Sequence, residues 1–170
     1  MDSNERRYRL LQLLNSAKLP LKGNELAKEF SVSRQVIVQD IAIIRASGSE
    51  IIATPQGYIV YNKNKSINKQ IKCKNHKDYN EIYDELKIII DRGGIVENVI
   101  VEHPIYGQIK AILNISTNID LDNFINKIKN DGFKQLSLLT TYNHIHTIQT
   151  SNEEVMDAIL NELKKKDILS

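Results

Sequence analysis

"LAKEFSVSRQVIVQDIAIIRASG", residues 26–48, is the stretch that decides the fold of the amino-terminal part of the chain. Its apolar residues recur three and four positions apart, which predicts a short helix over 25–30 and a longer one over 34–46. Ser33 stands where its side chain can cap the longer helix by accepting a backbone N–H. Two helices separated only by the tight turn 31–33 predict a helix-turn-helix motif.

The outward face of the longer helix has the composition of a surface that reads DNA. It carries Arg34, Gln35, Val38 and Gln39, at spacings that let all four enter one major groove, with Ser33 beside them at the helix start. An arginine fork suits guanine, a glutamine can pair with adenine at two points, and a valine offers an apolar surface to a thymine methyl group. The alternative is a polar helix face that contacts only solvent.

The sequence on either side of the motif completes a winged helix. On the amino-terminal side, apolar residues at helical spacing predict a helix over 4–17. On the other side, two β-prone segments, 51–53 and 58–61, flank a Thr-Pro-Gln-Gly sequence that suits a turn. We interpret this hairpin as the wing, which commonly lies over DNA phosphates, so Gln56 and Lys63 are expected to contact the backbone and not the bases.

Composition argues against several other classes of protein. The chain has 170 residues, a formal net charge of +2 and a single cysteine, Cys73. One cysteine can form neither an internal disulfide nor a cysteine-based zinc finger, and a reducing cytoplasm fits best. No apolar run reaches the roughly 20 residues of a membrane-spanning helix. The charged start of the chain predicts neither a secretory signal nor a membrane anchor.

The distribution of charge predicts a division into two domains. Residues 1–60 hold eight Lys and Arg against six Asp and Glu, whereas 61–170 hold fifteen of each. No acidic residue occurs over 51–77, although six lysines do. This basic stretch is either a solvated connector or a contact with phosphates. We therefore expect a DNA-binding domain over 1–62 and a second domain over 63–170.

The second domain alternates strands and helices. Strands are predicted at 69–73, 96–102, 108–115, 136–139 and 144–149, and helices at 78–91, 121–130 and from 151 to about 166. Ser151 and Glu154 are expected to form a capping box at the start of the last helix. This order predicts an α+β sandwich whose helices cover one face of a mostly antiparallel sheet.

Histidines carry the candidate chemistry of the second domain. All four in the chain lie there: His76, His103, His144 and His146. Residues two apart on a strand point to the same side, so His144 and His146 can present two imidazoles to one ion. A carboxylate and a third histidine would complete the ligand set. A histidine pair on a solvated strand face is the alternative, and a buried apolar role is favoured for Cys73 over that of a ligand.

These segments carry a resemblance to a known family. Residues 26–48 resemble part of the DNA-binding domain of a bacterial repressor group that includes the biotin repressor, and the resemblance extends over about residues 4–61. "H-x8-ELKIIIDRGG", "VIVEHPIYGQIKAIL" and "HIHTI" resemble the three-histidine regulatory domain that follows this winged domain in nicotinic-acid-responsive repressors of NAD biosynthesis and niacin uptake. Together the resemblances cover nearly the whole chain.

The resemblance implies a transcriptional repressor and not an enzyme. It implies a homodimer that binds a palindromic operator in double-stranded DNA, with nicotinic acid as the corepressor. It further implies that His76, His144, His146 and Glu85 bind a divalent transition metal, nickel or zinc. Because the sequence has one residue more than the family between the first histidine and the carboxylate, Asp84 is the second choice.

If nicotinic acid is the corepressor, the metal is expected to take one end of it while His103 and Tyr106 help to close the pocket.

Two alternatives to this function stay open. The metal ion itself could instead be the signal. A metal-dependent hydrolase with a DNA-binding head would use Glu85 or Asp84 as a base. A ligase of the biotin-repressor type is disfavoured because no phosphate-cradling loop is present in the sequence.

Overall fold

The computed structural model describes residues 1–62, 66–130, 136 and 143–170, and the chain divides into two compact units, Met1–Ser66 and Ile67–Ser170. The helices are α1 (Ser3–Ser16), α2 (Gly23–Glu29), α3 (Arg34–Ala46), α4 (Tyr79–Ile90), α5 (Asn118–Asn130) and α6 (Glu153–Lys165). The strands are β1 (Ile51–Thr54), β2 (Gly57–Val60), β3 (Ile67–Cys73), β4 (Ile95–His103), β5 (Gly107–Ile115) and β6 (His144–Thr150). Lys63 and, except for Leu136, the predicted strand over 136–139 lie outside the described residues.

The amino-terminal unit is the predicted helix-turn-helix with its wing. The helices pack through one apolar stripe each, and the buried residues of this core are Leu10, Leu14, Leu26, Ala27, Ile37, Ile41, Ile44 and Ile51. Ala27 of α2 and Ile37 of α3 are both buried in this core, and a small residue on α2 allows close packing of the two helices. In the turn between them, Ser31 adopts a φ of 52°, and the Val32 N–H donates to the Ala27 carbonyl. The prediction of this fold is confirmed.

The wing is fixed to the rest of the unit by main-chain hydrogen bonds. Strands β1 and β2 pair antiparallel, and Tyr58 exchanges two N–H···O bonds with Leu21, of 2.8 and 2.9 Å. Gly57 has a φ of 137°, and a Cβ on it would lie only 2.2 Å from the Leu21 carbonyl oxygen. Because only glycine fits this close approach, the register of the wing is set at that residue.

A buried ion pair that the sequence did not predict ties α1 to α3. Asp40 is buried, and its Oδ2 accepts a hydrogen bond of 2.6 Å from Arg6 Nε. The second carboxylate oxygen lies 3.4 Å from Arg7 Nη1. Asp40 falls on the inner side of α3, three positions after Ile37, so its charge requires partners from the neighbouring helix.

The second unit is an α+β sandwich with a four-stranded antiparallel sheet in the order β3-β6-β4-β5. Helix α4 packs against β4 and lies between α5 and α6, and α6 also packs against β6. The side chains of β6 alternate strictly between buried and half-buried. The predicted antiparallel α+β architecture is confirmed.

The predicted capping box at the start of α6 is wrong. The cap is Asn152, one residue later than expected, and its side-chain oxygen accepts the Val155 N–H at 2.9 Å. Ser151 is instead buried at the end of β6. Asparagine caps a helix as well as serine does, so the spacing to Glu154 was not decisive.

A β-bulge interrupts β4 near its start. Val96 pairs with Ile148 and Asn98 with Thr147, so Glu97 is an extra residue opposite β6. The register of the sheet beyond the bulge places Val99 opposite His146.

No helix within the described part of the chain is long and apolar enough to cross a membrane.

Candidate metal centre and nucleic-acid interface

The second unit gathers three histidines around one carboxylate. Glu85 on α4 is fully buried, and its Oε2 lies 2.7 Å from His76 Nε2. Its Oε1 lies 3.2 Å from His144 Nε2 and 3.1 Å from His146 Nε2. We call these four residues the Glu85 cluster. The sequence named all four as candidate ligands, and the structure brings them together.

Each element presents its member of the cluster for a local reason. Glu85 lies on the inner stripe of α4, three residues after Ile82 and one before Leu86. His144 and His146 are two apart on β6 and share its buried side. His76 lies in the segment that joins β3 to α4. The alternative carboxylate, Asp84, is exposed and does not share the inner stripe.

The backbone of the bulged strand fixes the tautomer of His146. Its Nδ1 lies 2.9 Å from the carbonyl oxygen of Asn98, the residue after the bulge. A carbonyl can only accept, so Nδ1 carries the proton, and in the neutral ring Nε2 is left with a lone pair. That lone pair faces a carboxylate oxygen at 3.1 Å. Two acceptors at this distance require a proton or a cation between them, which is the arrangement of a metal-binding histidine held by a carbonyl.

The electrostatics of the cluster also suit a cation. Burial raises the pKa of the Glu85 carboxyl, but hydrogen bonds from His144, His146 and His76 outweigh it and hold the pKa well below its usual range. Burial lowers the pKa of His144, against the opposing effect of Glu85. The cluster therefore pairs an ionised carboxylate with an imidazole that favours its neutral form. Imidazole nitrogen and carboxylate oxygen are donors that suit zinc and nickel, so the residues fit the implied metal.

Cys73 lies at the edge of the cluster. It is fully buried at the end of β3, where it pairs with His144, and its Sγ and the ligand atoms of Glu85 and His144 all lie within 4.8 Å of one another. Burial, together with the Glu85 carboxylate, raises the pKa of the thiol far above its ordinary value. A thiol that stays protonated is a poor ligand, which is consistent with the apolar role expected for it.

A cavity of about 640 Å³ opens beside the cluster. Its lining includes His76 and Glu85, and it includes Asp84 among several charged side chains of both signs. It is therefore large enough for a small polar molecule next to the cluster.

The two residues expected to close the pocket lie elsewhere in this unit. His103 ends β4 and Tyr106 lies in the turn that leads to β5, and neither is among the described residues that line the cavity. His103 Nδ1 accepts the N–H groups of Ile105 and Tyr106 at 3.2 and 3.3 Å, and its ring stacks on Tyr106 with centroids 4.8 Å apart. Tyr106 is 75% exposed. Their role in closing a pocket stays a prediction.

The amino-terminal unit presents most of the residues expected to contact DNA on one helix. Arg34, Gln35 and Gln39 are exposed on α3, and Val38 is half-buried beside them. Ser33 caps the helix by accepting the Val36 N–H at 3.3 Å. On the wing, the half-buried Gln56 lies in the turn, where its N–H donates to Thr54 Oγ1.

Two residues that support these sites were missed by sequence reasoning. Asp40 could have been found, since a charged residue on the inner stripe of an amphipathic helix signals a buried partner. Asn98 acts through its backbone carbonyl, whose direction depends on a bulge that no residue type announces.

Two family models match the chain, one on each unit. A model described as an HTH domain matches residues 6–59, and a model described as a 3H domain matches residues 68–170.

Two curated relatives match over nearly their whole length. A probable transcription repressor NiaR of Thermotoga maritima is 39% identical, over 97% of this chain and 93% of that protein. The transcription repressor NadR of Bacillus subtilis is 38% identical, over 96% of this chain and 92% of that protein. Both are named as transcription repressors, a class of protein that is not enzymatic.

Proposed function

The chain belongs to the family of transcription repressors that join a helix-turn-helix domain to a 3H domain, and on that premise we propose that nicotinic acid is its corepressor. The genes it represses would be those of NAD biosynthesis or niacin transport. The protein would act in the cytoplasm as a homodimer, residues 1–62 binding DNA and residues 63–170 sensing the effector.

DNA recognition would fall to α3 and the wing. Arg34, Gln35, Val38 and Gln39 would read base edges in the major groove, while Ser33, Gln56 and Lys63 would contact the phosphate backbone. The support for this is that the outward face of α3 combines an arginine and two exposed amides on a helix held rigidly by its core. Two such helices in a dimer would match the two halves of a palindromic operator.

The Glu85 cluster would hold a nickel or zinc ion. The single observation that carries this proposal is that His146 Nε2 lies 3.1 Å from the Glu85 carboxylate while its other ring nitrogen lies 2.9 Å from the Asn98 carbonyl oxygen. The ion would supply positive charge and Lewis acidity beside the cavity. His76, His144, His146 and Glu85 would bind it, and the burial of the last three would limit competition from water.

Effector binding must favour one form of the dimer over another. To move such an equilibrium from nearly off to nearly on, nicotinate must prefer the DNA-binding form by roughly 5.5 kcal/mol. The cavity beside the cluster is where we place nicotinate, with His103 and Tyr106 helping to close it if their hairpin moves toward the ligand.

Calorimetry tests the sensing proposal. Purified protein would be titrated with nicotinate, nicotinamide and NAD, before and after treatment with a chelator. We expect a heat of binding for nicotinate and none for nicotinamide or NAD. Treatment with the chelator should abolish the heat that nicotinate gives. The variant Glu85→Gln should lose metal and effector binding, and the neighbouring exposed variant Asp84→Asn should keep both.

Operator binding separates the alternatives. If metal without nicotinate switches DNA binding on, the ion is the signal and nicotinate is not. Operator binding that saturating nicotinate leaves unchanged in the metal-loaded protein would overturn the corepressor role.

A further inference from the structure

Gly23, the first residue of α2, lies against the side chain of Arg34. A Cβ built on Gly23 would lie 3.4 Å from Arg34 Nε and 3.7 Å from Arg34 Cγ. The same Cβ would lie 3.3 Å from Tyr58 Cε2, on the wing. The stem of the Arg34 side chain and the edge of the Tyr58 ring therefore both border the small space into which a side chain at position 23 would extend.

Backbone conformation does not require glycine at this position. The φ of Gly23 lies outside the left-handed region, and the residue begins a helix. Glycine weakens a helix relative to alanine, so the residue is unfavourable for α2 itself. What glycine provides here is space, and the side chain that uses the space is Arg34.

The wing holds the other wall of this space in place. Tyr58 is bonded through its backbone to Leu21, two residues before Gly23, by N–H···O bonds of 2.8 and 2.9 Å. A Cβ on Gly57 would lie 2.2 Å from the Leu21 carbonyl oxygen, so the wing approaches this segment more closely than another residue would allow. The backbone of Tyr58 is thus held next to the segment that leads into α2.

We propose that Gly23 and Tyr58 are positioning residues for Arg34 and that they set its base specificity. A guanidinium reads guanine through two parallel hydrogen bonds, so its direction matters as much as its charge. The space that Gly23 leaves open admits the stem of Arg34, and the ring of Tyr58 borders the same space, so together they would set the direction in which the guanidinium leaves α3. This inference rests on the proposed reading of a base by Arg34.

The test is a comparison of base preferences. The full-length wild type would select sites from a randomised double-stranded DNA library in the presence of nicotinate and Ni²⁺. Each base pair of the selected site would then be permuted and the affinity of each variant measured. Arg34→Ala should lower discrimination at one base pair by about tenfold or more. Gly23→Leu should lower it at the same base pair by a similar factor, and Gly23→Ala, whose Cβ needs only small adjustments, by less than about threefold.

A double variant distinguishes positioning from a general loss of structure. In the Arg34→Ala background, Gly23→Leu should change base preference no further, because the side chain that it displaces is gone. Asn24→Leu is the matched control: it adds the same side chain at the next, exposed position and should leave base preference unchanged. Thermal unfolding of every variant checks the fold.

If Gly23→Leu does not fold, Tyr58→Leu replaces it, since it keeps apolar packing and removes the ring edge. It should relax preference at the Arg34 base pair. The inference would be overturned if the losses of base discrimination from Arg34→Ala and Gly23→Leu add in the double variant. It would also be overturned if Gly23→Leu, or Tyr58→Leu in its place, leaves the base preference unchanged. A wild type that selects no sequence would overturn the proposed DNA reading instead.

Discussion

The outward face of α3 and the Glu85 cluster are both polar, but they relate to the fold in opposite ways. Arg34, Gln35 and Gln39 point into solvent from a helix whose stability comes from the apolar residues behind them. Glu85 and His144 lie inside the second unit, where each ring and carboxylate faces another member of the cluster. Substitutions at the exposed site can therefore alter what it binds without lowering the stability of the fold. Substitutions in the buried cluster are expected to alter binding and stability together.

The largest expected effect is on Glu85. Glu85→Leu removes the carboxylate that three buried or nearly buried histidines face, and leaves their nitrogens without it. We expect the free energy of unfolding of the metal-free protein to fall by about 3 kcal/mol or more, as for a buried ion pair that loses one partner. Denaturant unfolding followed by circular dichroism measures it. A loss no larger than that of the exposed Asp84→Leu would show that the cluster does not stabilise the unit.

The next prediction tests whether a carboxylate stabilises the protein because it is buried or because it lies in the second unit. Asp40 lies in the DNA-binding unit but is buried against Arg6 and Arg7. Asp40→Asn should lower the free energy of unfolding by about 1–3 kcal/mol, the range for a hydrogen bond to a charged group. The same substitution type at an exposed acid, Glu29→Gln, should change it by less than about 0.5 kcal/mol. Equal stabilities of the two variants would contradict this account.

A smaller effect on the fold accompanies the change at Arg34. Arg34→Ala should alter the melting temperature little, because the side chain is exposed. In DNA-binding assays it should cost about 1–3 kcal/mol and relax preference at one base pair. Lys63→Ala is the counterpart for backbone contact: it should weaken binding alike on all sequences and lower the salt dependence by about one unit of slope. An equal loss on all sequences for Arg34→Ala would contradict base reading.

The smallest expected effect is at Asn152, the half-buried cap of α6. Asn152→Ala removes the acceptor for the Val155 N–H and should lower the free energy of unfolding by about 1 kcal/mol. Glu154→Gln, which alters the residue of the expected capping box and keeps the Asn152 side chain that accepts the Val155 N–H, should cost less than about half of that. A larger loss of stability in Glu154→Gln than in Asn152→Ala would support the predicted capping box instead.

The fold was predictable from the sequence because its elements have regular periods. The apolar spacing and Ser33 predicted α3 over its observed range, Arg34–Ala46. The strand predicted over 144–149 ends one residue before the observed end of β6 at Thr150. Supporting contacts between distant elements were not predictable, because the partners of Asp40 lie more than thirty positions away.

The candidate metal centre was only partly predictable from spacing. His144 and His146 follow from their separation on one strand. His76 and Glu85 came from the family resemblance, since no local period links a loop residue to a strand some 68 positions later. The inner stripe of α4 could have chosen Glu85 over Asp84, because Glu85 lies three residues after Ile82.

The extra residue in β4 also bears on how this domain tolerates changes of length. Loss of a residue from a surface loop ordinarily leaves a fold intact. Loss of Glu97 would leave Val96 and Asn98 consecutive opposite Ile148 and Thr147 of β6, but it would set that single step against the longer segment Ile112–Ile115 of β5. Removing the bulge would also straighten β4 there and change the direction of the Asn98 carbonyl that lies against His146. At this point of the chain a one-codon deletion therefore reaches the Glu85 cluster without replacing any of its four side chains.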